Sequence, residues 1–203
     1  GSLGCMAAYE IRVIGDPVLK QQAAEVTDID AKLVRLVDDM VQTMYDAPGL
    51  GLAAPQVGVQ KQLFVWDLGD GTGPHAMINP QIVESSGEWA YEEGCLSVPG
   101  LSWEIVRPKD VHVVGRDLDG NEVSYEATEL AGRMFQHELD HLAGILLVER
   151  LDDDRSADAA PDGPAGHALA MLAAPSPAIA PVASQDPSPA PSWSWWPRAG
   201  RTS

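Results

Sequence analysis

Residues 128–144 read TELAGRMFQHELDHLAG, and this stretch decides the fold. Its apolar side chains recur at helical spacing, which predicts one amphipathic helix from Thr128 to Ala143. Thr128 is a suitable N-cap, and Gly144 suits the position that follows the last helical residue. The helix is apolar towards the protein core, so polar groups within it require an explanation.

Two histidines and a glutamate lie on this helix, which is otherwise apolar towards the core. His137 and His141 are four residues apart and therefore share one helix face, so both imidazoles can bind one metal ion. Glu138 follows the first histidine and can lie beside an open coordination position, where it would act as a general base towards water. Chance is the alternative explanation, because the pattern spans only five residues. We interpret the motif as a metal site.

Shorter signals before this helix indicate the rest of the fold. Residues 30–45 show apolar side chains at i, i+3, i+4 and i+7, which predicts another helix with Asp28 or Asp30 as its N-cap. Asp119-Gly120 predicts a hairpin turn. Strands are predicted at residues 63–68, 77–83, 111–117 and 122–127. This order predicts an α+β fold in which mostly antiparallel short strands surround the central metal-binding helix.

The composition limits the classes of function. The chain has 203 residues, 45% of them hydrophobic, which is enough for one domain with a real core. Its net charge of −17 argues against a nucleic-acid binder and against docking on anionic membranes, because both need clustered Lys and Arg. No apolar run approaches the ~20 residues that span a bilayer. Two cysteines, Cys5 and Cys95, cannot form a disulfide framework, so a reduced, cytoplasmic setting is expected.

The composition changes sharply after Leu151. Of the 52 residues from Asp152 to Ser203, 9 are Pro and 13 are Ala, and little hydrophobic periodicity survives. Such a segment cannot bury enough apolar surface to offset its ordering entropy, so residues 152–203 are predicted to be a disordered low-complexity tail. Residues 9–151 are predicted to form the catalytic domain. Residues 1–8 would be an N-terminal extension, whose Gly-Ser opening is interpreted as a cloning remnant.

The third ligand decides the class of enzyme, because a catalytic metal site usually has three protein ligands and an open position. The metzincin pattern requires a histidine where this chain has Leu147, and a thermolysin-like site requires a more distant glutamate than Glu149. Cys95 is the best remaining candidate, since a thiolate is a soft ligand suited to Zn²⁺ or Fe²⁺. The alternative for Cys95 is a buried structural thiol.

A third segment, residues 49–56, reads GLGLAAPQ. Its two glycines allow another backbone to approach closely, and Gln56 is an uncharged donor of the kind that stabilises an oxyanion. The chain resembles the peptide deformylases, because the three motifs of that family stand here in order: this segment, EGCLS at 93–97, and QHELDH at 136–141. The resemblance covers about residues 9–151, and the three motifs together are highly specific.

The resemblance implies a hydrolase that removes the formyl group from the N-terminal formylmethionine of nascent polypeptides. Glu138 would be the general acid/base for attack by a metal-bound hydroxide, while Gln56 and the backbone N–H of Leu96 would hold the oxyanion. The metal ligands would be Cys95, His137 and His141. The cofactor would be one divalent ion, with Fe²⁺ expected in the cell and Zn²⁺, Ni²⁺ or Co²⁺ able to replace it in purified protein.

The resemblance also implies that the peptide is held like an added strand. The backbones that hold it would be those of Leu50, Gly51 and Leu52 on one side and of Glu93 and Gly94 on the other. The methionine pocket would be formed by Leu50, Tyr91, Leu130 and Met134, each of which is equally suited to a plain core. Arg133 stands at a pocket-wall position that is apolar in some members, so it either turns outward or alters the pocket rim.

Two alternatives stay open at this stage. A zincin-type metallopeptidase would need a ligand other than Cys95, and an inactive metal-binding deformylase-like protein would need neither Glu138 nor Gln56. The expected partners are N-formylmethionyl peptides and, transiently, the ribosome, with no direct nucleic-acid or membrane contact. Many bacterial members continue with a C-terminal helix, sometimes basic, that helps ribosome docking, and this chain has the acidic run at 152–154 in its place.

Overall fold

The computed structural model describes residues 9–151 and the pair 180–181. These residues form two α-helices, α1 at Ala31–Asp46 and α2 at Glu129–Ala143. The strands are β1 Gly51–Ala53, β2 Leu63–Trp66, β3 His75–Ser86, β4 Trp89–Cys95, β5 Val98–Arg107, β6 Asp110–Arg116, β7 Glu122–Thr128 and β8 Ala180–Pro181. Short 3₁₀ helices lie at Pro17–Lys20, Ala54–Val57 and Leu147–Arg150. None of the helices in these described ranges is long and apolar enough to cross a membrane.

The strands form two antiparallel sheets. The larger sheet has the order β1-β2-β3-β6-β7-β8, and β4 and β5 pair separately as a hairpin. Strand β2 lies between the two helices, because Leu63 and Val65 pack with α1 while Phe64 and Trp66 pack with α2. Successive side chains of a strand point to opposite faces, so β2 is apolar on both sides. The prediction of an α+β fold with antiparallel strands around a central helix is confirmed.

Helix α1 begins where the sequence predicts. The Asp30 carboxylate accepts hydrogen bonds from the backbone N–H groups of Lys32 (3.0 Å) and Leu33 (2.9 Å), so Asp30 rather than Asp28 is the N-cap. The apolar side chains at helical spacing all face the core, as expected from their pattern: Leu33, Leu36, Val37, Met40, Val41 and Met44. The helix therefore buries the stripe that its sequence marks out.

Helix α2 has both predicted termini, but its N-cap residue works differently from the prediction. Thr128 occupies the N-cap position, but its side chain makes no capping hydrogen bond. The start of the helix is held instead by the N–H of Glu129, which donates to the carbonyl oxygen of Lys109 (2.9 Å). At the other end Gly144 adopts a left-handed conformation with a φ of 74°, and its N–H donates to carbonyl oxygens of the last turn. That is the role predicted for a glycine after a helix.

The β4–β5 hairpin is the main element that the sequence does not predict. Its strands read WAYEEGC and VPGLSWEIVR, in which charged and aromatic residues alternate around glycines without a clean apolar face. The register between the strands shifts at Gly94 and Cys95. The hairpin nevertheless positions the site, because its first strand ends on the candidate metal ligand Cys95 and brings it against α2.

Two predicted segments lie almost wholly outside the described residues. These are the N-terminal extension, residues 1–8, and the tail, residues 152–203. Within the tail the structure describes β8, which pairs with Tyr125 and Glu126 of β7. The disorder of the tail stays a prediction.

Gly144 provides a test of how the end of α2 is packed. A Cβ atom at this position would lie 2.8 Å from the backbone carbonyl carbon of Lys20 and 2.9 Å from its oxygen. We expect Gly144→Ala to lower the free energy of unfolding by about 3 kcal/mol, because a left-handed residue with a side chain costs about 1–2 kcal/mol and overpacking about 1–3 kcal/mol more. Urea unfolding measures the change.

Gly120→Ala is the matched control for this substitution. Gly120 also has a positive φ, 83°, but the nearest atom to an added Cβ is Ile29 Cδ1 at an ordinary 3.7 Å. The control should therefore cost only about 1 kcal/mol, the backbone contribution alone. Equal losses for the two variants would show that the end of α2 is not packed against Lys20 as described.

Candidate metal centre and active site

Helix α2 and the end of β4 bring three metal-binding side chains together. One ligand atom from each of Cys95, His137 and His141 lies within 4.8 Å of the other two. The Cys95 sulfur is 3.3 Å from His141 Nε2. The four-residue spacing puts both histidine rings on one helix face, as the sequence predicts. Within residues 9–151 and 180–181, this is the one group of three side chains placed to hold a metal ion.

The chemistry of this donor set fits a divalent transition metal. One thiolate and two imidazoles leave the fourth tetrahedral position open, which is typical of catalytic rather than structural zinc sites. Burial would raise the pKa of the Cys95 thiol, but His141 and His137 outweigh burial and hold that pKa well below its ordinary value. The cysteine is therefore disposed to bind as a thiolate.

Glu138 lies beside these ligands and is shielded from water. The residue is 4% exposed, and its Oε2 atom is buried without a hydrogen-bond partner among the described residues. Burial raises the pKa of Glu138 to about 7, against the opposing effect of His137 and His141. A carboxyl group with a pKa near neutrality can both accept and release a proton, which suits a general acid/base.

The two glycines of the segment at 49–56 are points of close approach, although the nearest atoms belong to side chains rather than to the second backbone that the sequence predicts. A Cβ atom at Gly51 would lie 2.5 Å from Glu138 Oε1, so only glycine leaves room there for the carboxylate. A Cβ atom at Gly49 would lie 2.8 Å from Leu96 Cδ1. Strand β1 therefore passes directly over the candidate acid/base.

The Gln56 side chain is held at the edge of the same site. Gln56 lies in the 3₁₀ helix Ala54–Val57 and is 2% exposed. Its Oε1 accepts a hydrogen bond from the N–H of Ala53 (2.9 Å), and its Nε2 donates one to Ser97 Oγ (3.1 Å). Gln56 and Leu96 both line one cleft with Cys95. The structure thus brings the two predicted oxyanion donors to the candidate metal ligands.

The cleft in front of these groups has a volume of about 420 Å³. Its walls include most of the predicted substrate-binding residues: Leu50, Gly51, Tyr91, Glu93, Gly94, Leu130 and Met134. Leu52 differs, because its side chain is fully buried and packs with α1, so only its backbone is left to meet a peptide. Strands β1 and β4 are both edge strands in the described sheets, which leaves each with one unpaired backbone edge beside the cleft.

A buried carboxylate stands behind His137. Glu93 is 1% exposed and accepts hydrogen bonds from Arg107 Nε (2.7 Å) and Nη2 (3.0 Å), from Arg133 Nη1 (2.7 Å) and from His137 Nδ1 (3.1 Å). Burial would raise the pKa of Glu93, but His137 and Arg107 lower it to about 2. The carboxylate is therefore charged, and its bond to Nδ1 leaves Nε2 of His137 to face a metal ion.

Arg133 points inward and lines the cleft, which agrees with the second of the two alternatives that the sequence leaves open. The residue is 2% exposed, and besides Glu93 its guanidinium donates to the carbonyl oxygens of Ile105 and Trp89. It also lies over the Trp89 ring, with 5.2 Å from its central carbon to the ring centroid. These buried acceptors explain its direction, because a guanidinium without them would need water. Arg133 lines the cleft as well, so it contributes to the pocket wall.

Arg107 and Asp140 are site residues that the sequence analysis misses. Arg107 Nη1 donates to Asp140 Oδ2 at 2.7 Å, and Asp140 also accepts from Arg150 Nε at 2.9 Å. The available signal is the carboxylate of Asp140, which stands within the histidine motif, one residue before His141. Its partner could not be read from the sequence, because Arg107 lies 33 residues away.

Comparison with known proteins places the chain in a family. The family model "Polypeptide deformylase" matches residues 8–157. The chain belongs to the peptide deformylase family. A curated peptide deformylase from Halothermothrix orenii is 49% identical over 146 residues, which span 72% of this chain and 95% of that protein. One from Agathobacter rectalis is 51% identical over 147 residues, which span 72% of this chain and 92% of that protein.

Solved structures of peptide deformylases share the fold. The enzyme from Thermotoga maritima matches with a TM-score of 0.69 at 45% identity, over 72% of this chain and 99% of that one. The enzyme from Synechococcus elongatus, in complex with actinonin, matches with a TM-score of 0.70 at 41% identity, over 74% of this chain and 82% of that one. The enzyme from Acinetobacter baumannii with bound Met-Ala-Ser matches with a TM-score of 0.69 at 33% identity, over 72% of this chain and 100% of that one.

This deformylase is therefore a metal-dependent hydrolase of protein biosynthesis, which removes the formyl group from the N-terminal formylmethionine of polypeptides. The resemblance that the three sequence motifs carry is confirmed. Deformylation is favoured over the zincin-type peptidase, because the match runs through all three motifs and includes Cys95.

Arg133 tests the importance of the buried charge cluster. Arg133→Met keeps the length of the side chain but leaves Glu93 with one guanidinium fewer. Removing one partner of a buried ion pair costs about 3–5 kcal/mol, so we expect the free energy of unfolding to fall by about 3 kcal/mol, with Arg107 still in place. Urea unfolding followed by tryptophan fluorescence measures this loss.

Arg35→Met on the exposed surface of α1 is the matched control. An exposed substitution of this kind should change the free energy of unfolding by no more than about 0.5 kcal/mol. Similar small changes for both variants would mean that Arg133 does not pair with Glu93 in the folded protein.

Proposed function

We propose that this deformylase works with one divalent metal ion held by Cys95, His137 and His141, and with Glu138 as its general acid/base. The observation that carries the proposal is the convergence of three ligand atoms within 4.8 Å beside a buried carboxyl group whose pKa is about 7. A purely structural metal site would need neither an open position nor this carboxyl group. The combination therefore supports an active enzyme over an inactive metal-binding relative.

The metal would be Fe²⁺ in the cell, with Zn²⁺, Ni²⁺ or Co²⁺ able to take its place in purified protein. A set of one thiolate and two imidazoles accepts all four ions. When bound, the ion supplies Lewis-acid chemistry, which polarises the formyl carbonyl and makes water a stronger nucleophile near neutral pH. The hydrogen bond between Glu93 and His137 Nδ1 orients the imidazole ring and makes it a more basic ligand.

Glu138 would carry the proton between the two halves of the reaction. The attacking water must lose a proton and the leaving amine must gain one, and a single carboxyl group can serve both in turn. Its pKa of about 7 lies near the operating pH, where acceptance and release are both accessible. Gly51 keeps the space around the carboxylate open, since any side chain there would collide with Oε1.

Gln56 and the backbone N–H of Leu96 would stabilise the oxyanion that forms from the formyl oxygen. Donors that are in place before the reaction stabilise this charge without a reorganisation cost. Ala53 and Ser97 hold the Gln56 amide from both ends, and Leu96 directly follows the proposed ligand Cys95. Both donors are therefore attached to rigid parts of the site.

The formylated peptide would lie as an added strand between β1 and β4. The backbones of Leu50, Gly51 and Leu52 would face it on one side, and those of Glu93 and Gly94 on the other. The methionine side chain would enter a pocket formed by Leu50, Tyr91, Leu130 and Met134. The position of these side chains on the cleft supports this pocket, as does the Met-Ala-Ser bound to the Acinetobacter baumannii relative.

The cellular setting follows from the substrate and the charge of the chain. We propose that residues 9–151 are the catalytic domain and that it acts on nascent chains in the cytoplasm. The net charge of −17 supports the absence of direct contact with nucleic acid or with an anionic membrane. Contact with the ribosome would be transient, since the chain continues after Leu151 with three aspartates.

The direct test is deformylation of formyl-Met-Ala-Ser by the metal-loaded protein, followed as release of free amine and of formate. We expect turnover that disappears when a chelator removes the metal and returns when Ni²⁺ or Fe²⁺ is added back. Unformylated Met-Ala-Ser is the control for peptide-bond cleavage. Release of methionine from it would indicate a peptidase, and a metal-loaded protein that releases no formate would contradict the proposal.

Glu138→Gln separates the acid/base role from metal binding. The amide cannot accept the proton of water, so we expect turnover to fall by at least about 10²–10⁴-fold while one metal ion per chain is retained. Activity and metal content are measured on the same sample, with the exposed Glu122→Gln as the control. Loss of the metal would show that Glu138 is a ligand instead.

Cys95→Ser tests the proposed sulfur ligand. The substitution replaces a thiolate, which binds zinc at ~2.3 Å, by a hydroxyl that binds weakly at neutral pH. We expect weaker metal retention during dialysis and poor turnover of the formylated tripeptide. Cys5→Ser, which removes the other cysteine of the chain, should leave both unchanged. Normal retention and turnover in Cys95→Ser would rule out the ligand assignment.

A further inference from the structure

The Gln56 amide is fixed at both of its ends by buried partners. Its Oε1 accepts a hydrogen bond from the N–H of Ala53 (2.9 Å), and its Nε2 donates one to Ser97 Oγ (3.1 Å). Gln56 is 2% exposed and Ser97 is 0% exposed, so water does not compete for either bond. The N–H of Ala53 requires an acceptor, which keeps the oxygen and nitrogen of the amide from exchanging places.

This arrangement determines the direction of the remaining donor of Gln56. A primary amide is planar and carries two N–H bonds, of which Ser97 accepts one. The second N–H is then held at a fixed angle to the first. Gln56 lines the cleft that also contains Cys95 and Glu138. A donor that already points at the position of the oxyanion before the reaction stabilises the developing charge best, because it does not have to reorganise.

The N-terminal segment, residues 12–14, forms backbone hydrogen bonds to both Gln56 and Ser97. The N–H of Arg12 donates to the carbonyl oxygen of Gln56 (2.7 Å), and the N–H of Ile14 donates to that of Ser97 (2.8 Å). Gln56 and Ser97 are 41 residues apart in the chain, and residues 12–14 bridge their backbones directly. The position of the Ser97 hydroxyl relative to the amide is therefore set by backbone bonds on both sides.

We propose that Ser97 is a positioning residue for deformylation, which accepts one N–H of Gln56 and thereby aims the other at the formyl oxygen. This inference rests on the proposed assignment of Gln56 to the oxyanion. A packing role for Ser97 makes a different prediction. The two side chains are in contact, so packing would also couple them, but its loss would appear in thermal stability and metal content rather than in kcat alone. The positioning role requires in addition that the loss of kcat depends on Gln56.

A double-mutant cycle tests this dependence. Ser97→Ala, Gln56→Ala and the double variant are compared by kcat and KM for formyl-Met-Ala-Ser, with all proteins loaded with Ni²⁺. Loss of one oxyanion donor costs about 10²–10³ in kcat, and we expect Gln56→Ala to fall in this range. Ser97→Ala should lower kcat about tenfold with KM and metal content unchanged, since the donor is present but not aimed. In the Gln56→Ala background it should cause no further loss.

The controls distinguish a loss of positioning from a loss of folding or of bound metal. Ser124→Ala removes a hydroxyl that is also bonded to a side chain, His112 Nε2 at 2.6 Å, but Ser124 does not line the cleft. It should leave kcat unchanged in both backgrounds. Ser97→Gly is a second hydroxyl-free variant, used in the same cycle if Ser97→Ala melts below the assay temperature. Thermal melting and metal content are measured for every protein.

Three results would overturn the positioning role while leaving the proposed function intact. These are full kcat in Ser97→Ala, a loss of equal size with and without Gln56, and a loss that follows the metal content. Full activity in Gln56→Ala would show that Gln56 does not stabilise the oxyanion. The proposed role of Ser97 would then fail as well. A fall in kcat that vanishes in the Gln56→Ala background supports the proposal.

Discussion

The buried carboxylate of Glu93 is the constraint on which the rest of the structure depends. A charge taken out of water is tolerated only when it is fully paired, and Glu93 meets this condition through Arg107, Arg133 and His137. Those partners come from β5 and α2, so one carboxylate holds the helix against the β4–β5 hairpin. Cys95 ends the first strand of that hairpin, and the same bonds therefore set the distance between the sulfur and the imidazoles.

Two buried glutamates at this site have opposite properties because their surroundings differ. Glu93 has a partner for each oxygen and a pKa of about 2, so it stays charged and orients His137. Glu138 has an oxygen without a partner and a pKa of about 7, so it can exchange a proton. Two carboxyl groups with such different pKa values can take different roles. One stays charged and orients a metal ligand, and the other transfers a proton.

The sequence alone predicts those helices and turns that are determined by residues close together in the chain. Helices α1 and α2 follow from apolar spacing, and the β6–β7 turn follows from Asp119-Gly120. The ion pairs of Glu93 and the β4–β5 hairpin could not be predicted, because they depend on segments that only the fold brings together. Thr128 shows the same limit, because its side chain makes no capping hydrogen bond where a backbone hydrogen bond holds the helix start.

X-ray absorption spectroscopy of the zinc-loaded protein tests most directly whether Cys95, His137 and His141 hold one ion with a position left open. The spectrum counts the sulfur and nitrogen neighbours of the metal and measures their distances. We predict one sulfur at about 2.3 Å, two imidazole nitrogens at about 2.0–2.1 Å and one further light ligand for each zinc. A coordination sphere with no sulfur, or with two or more, would contradict this site.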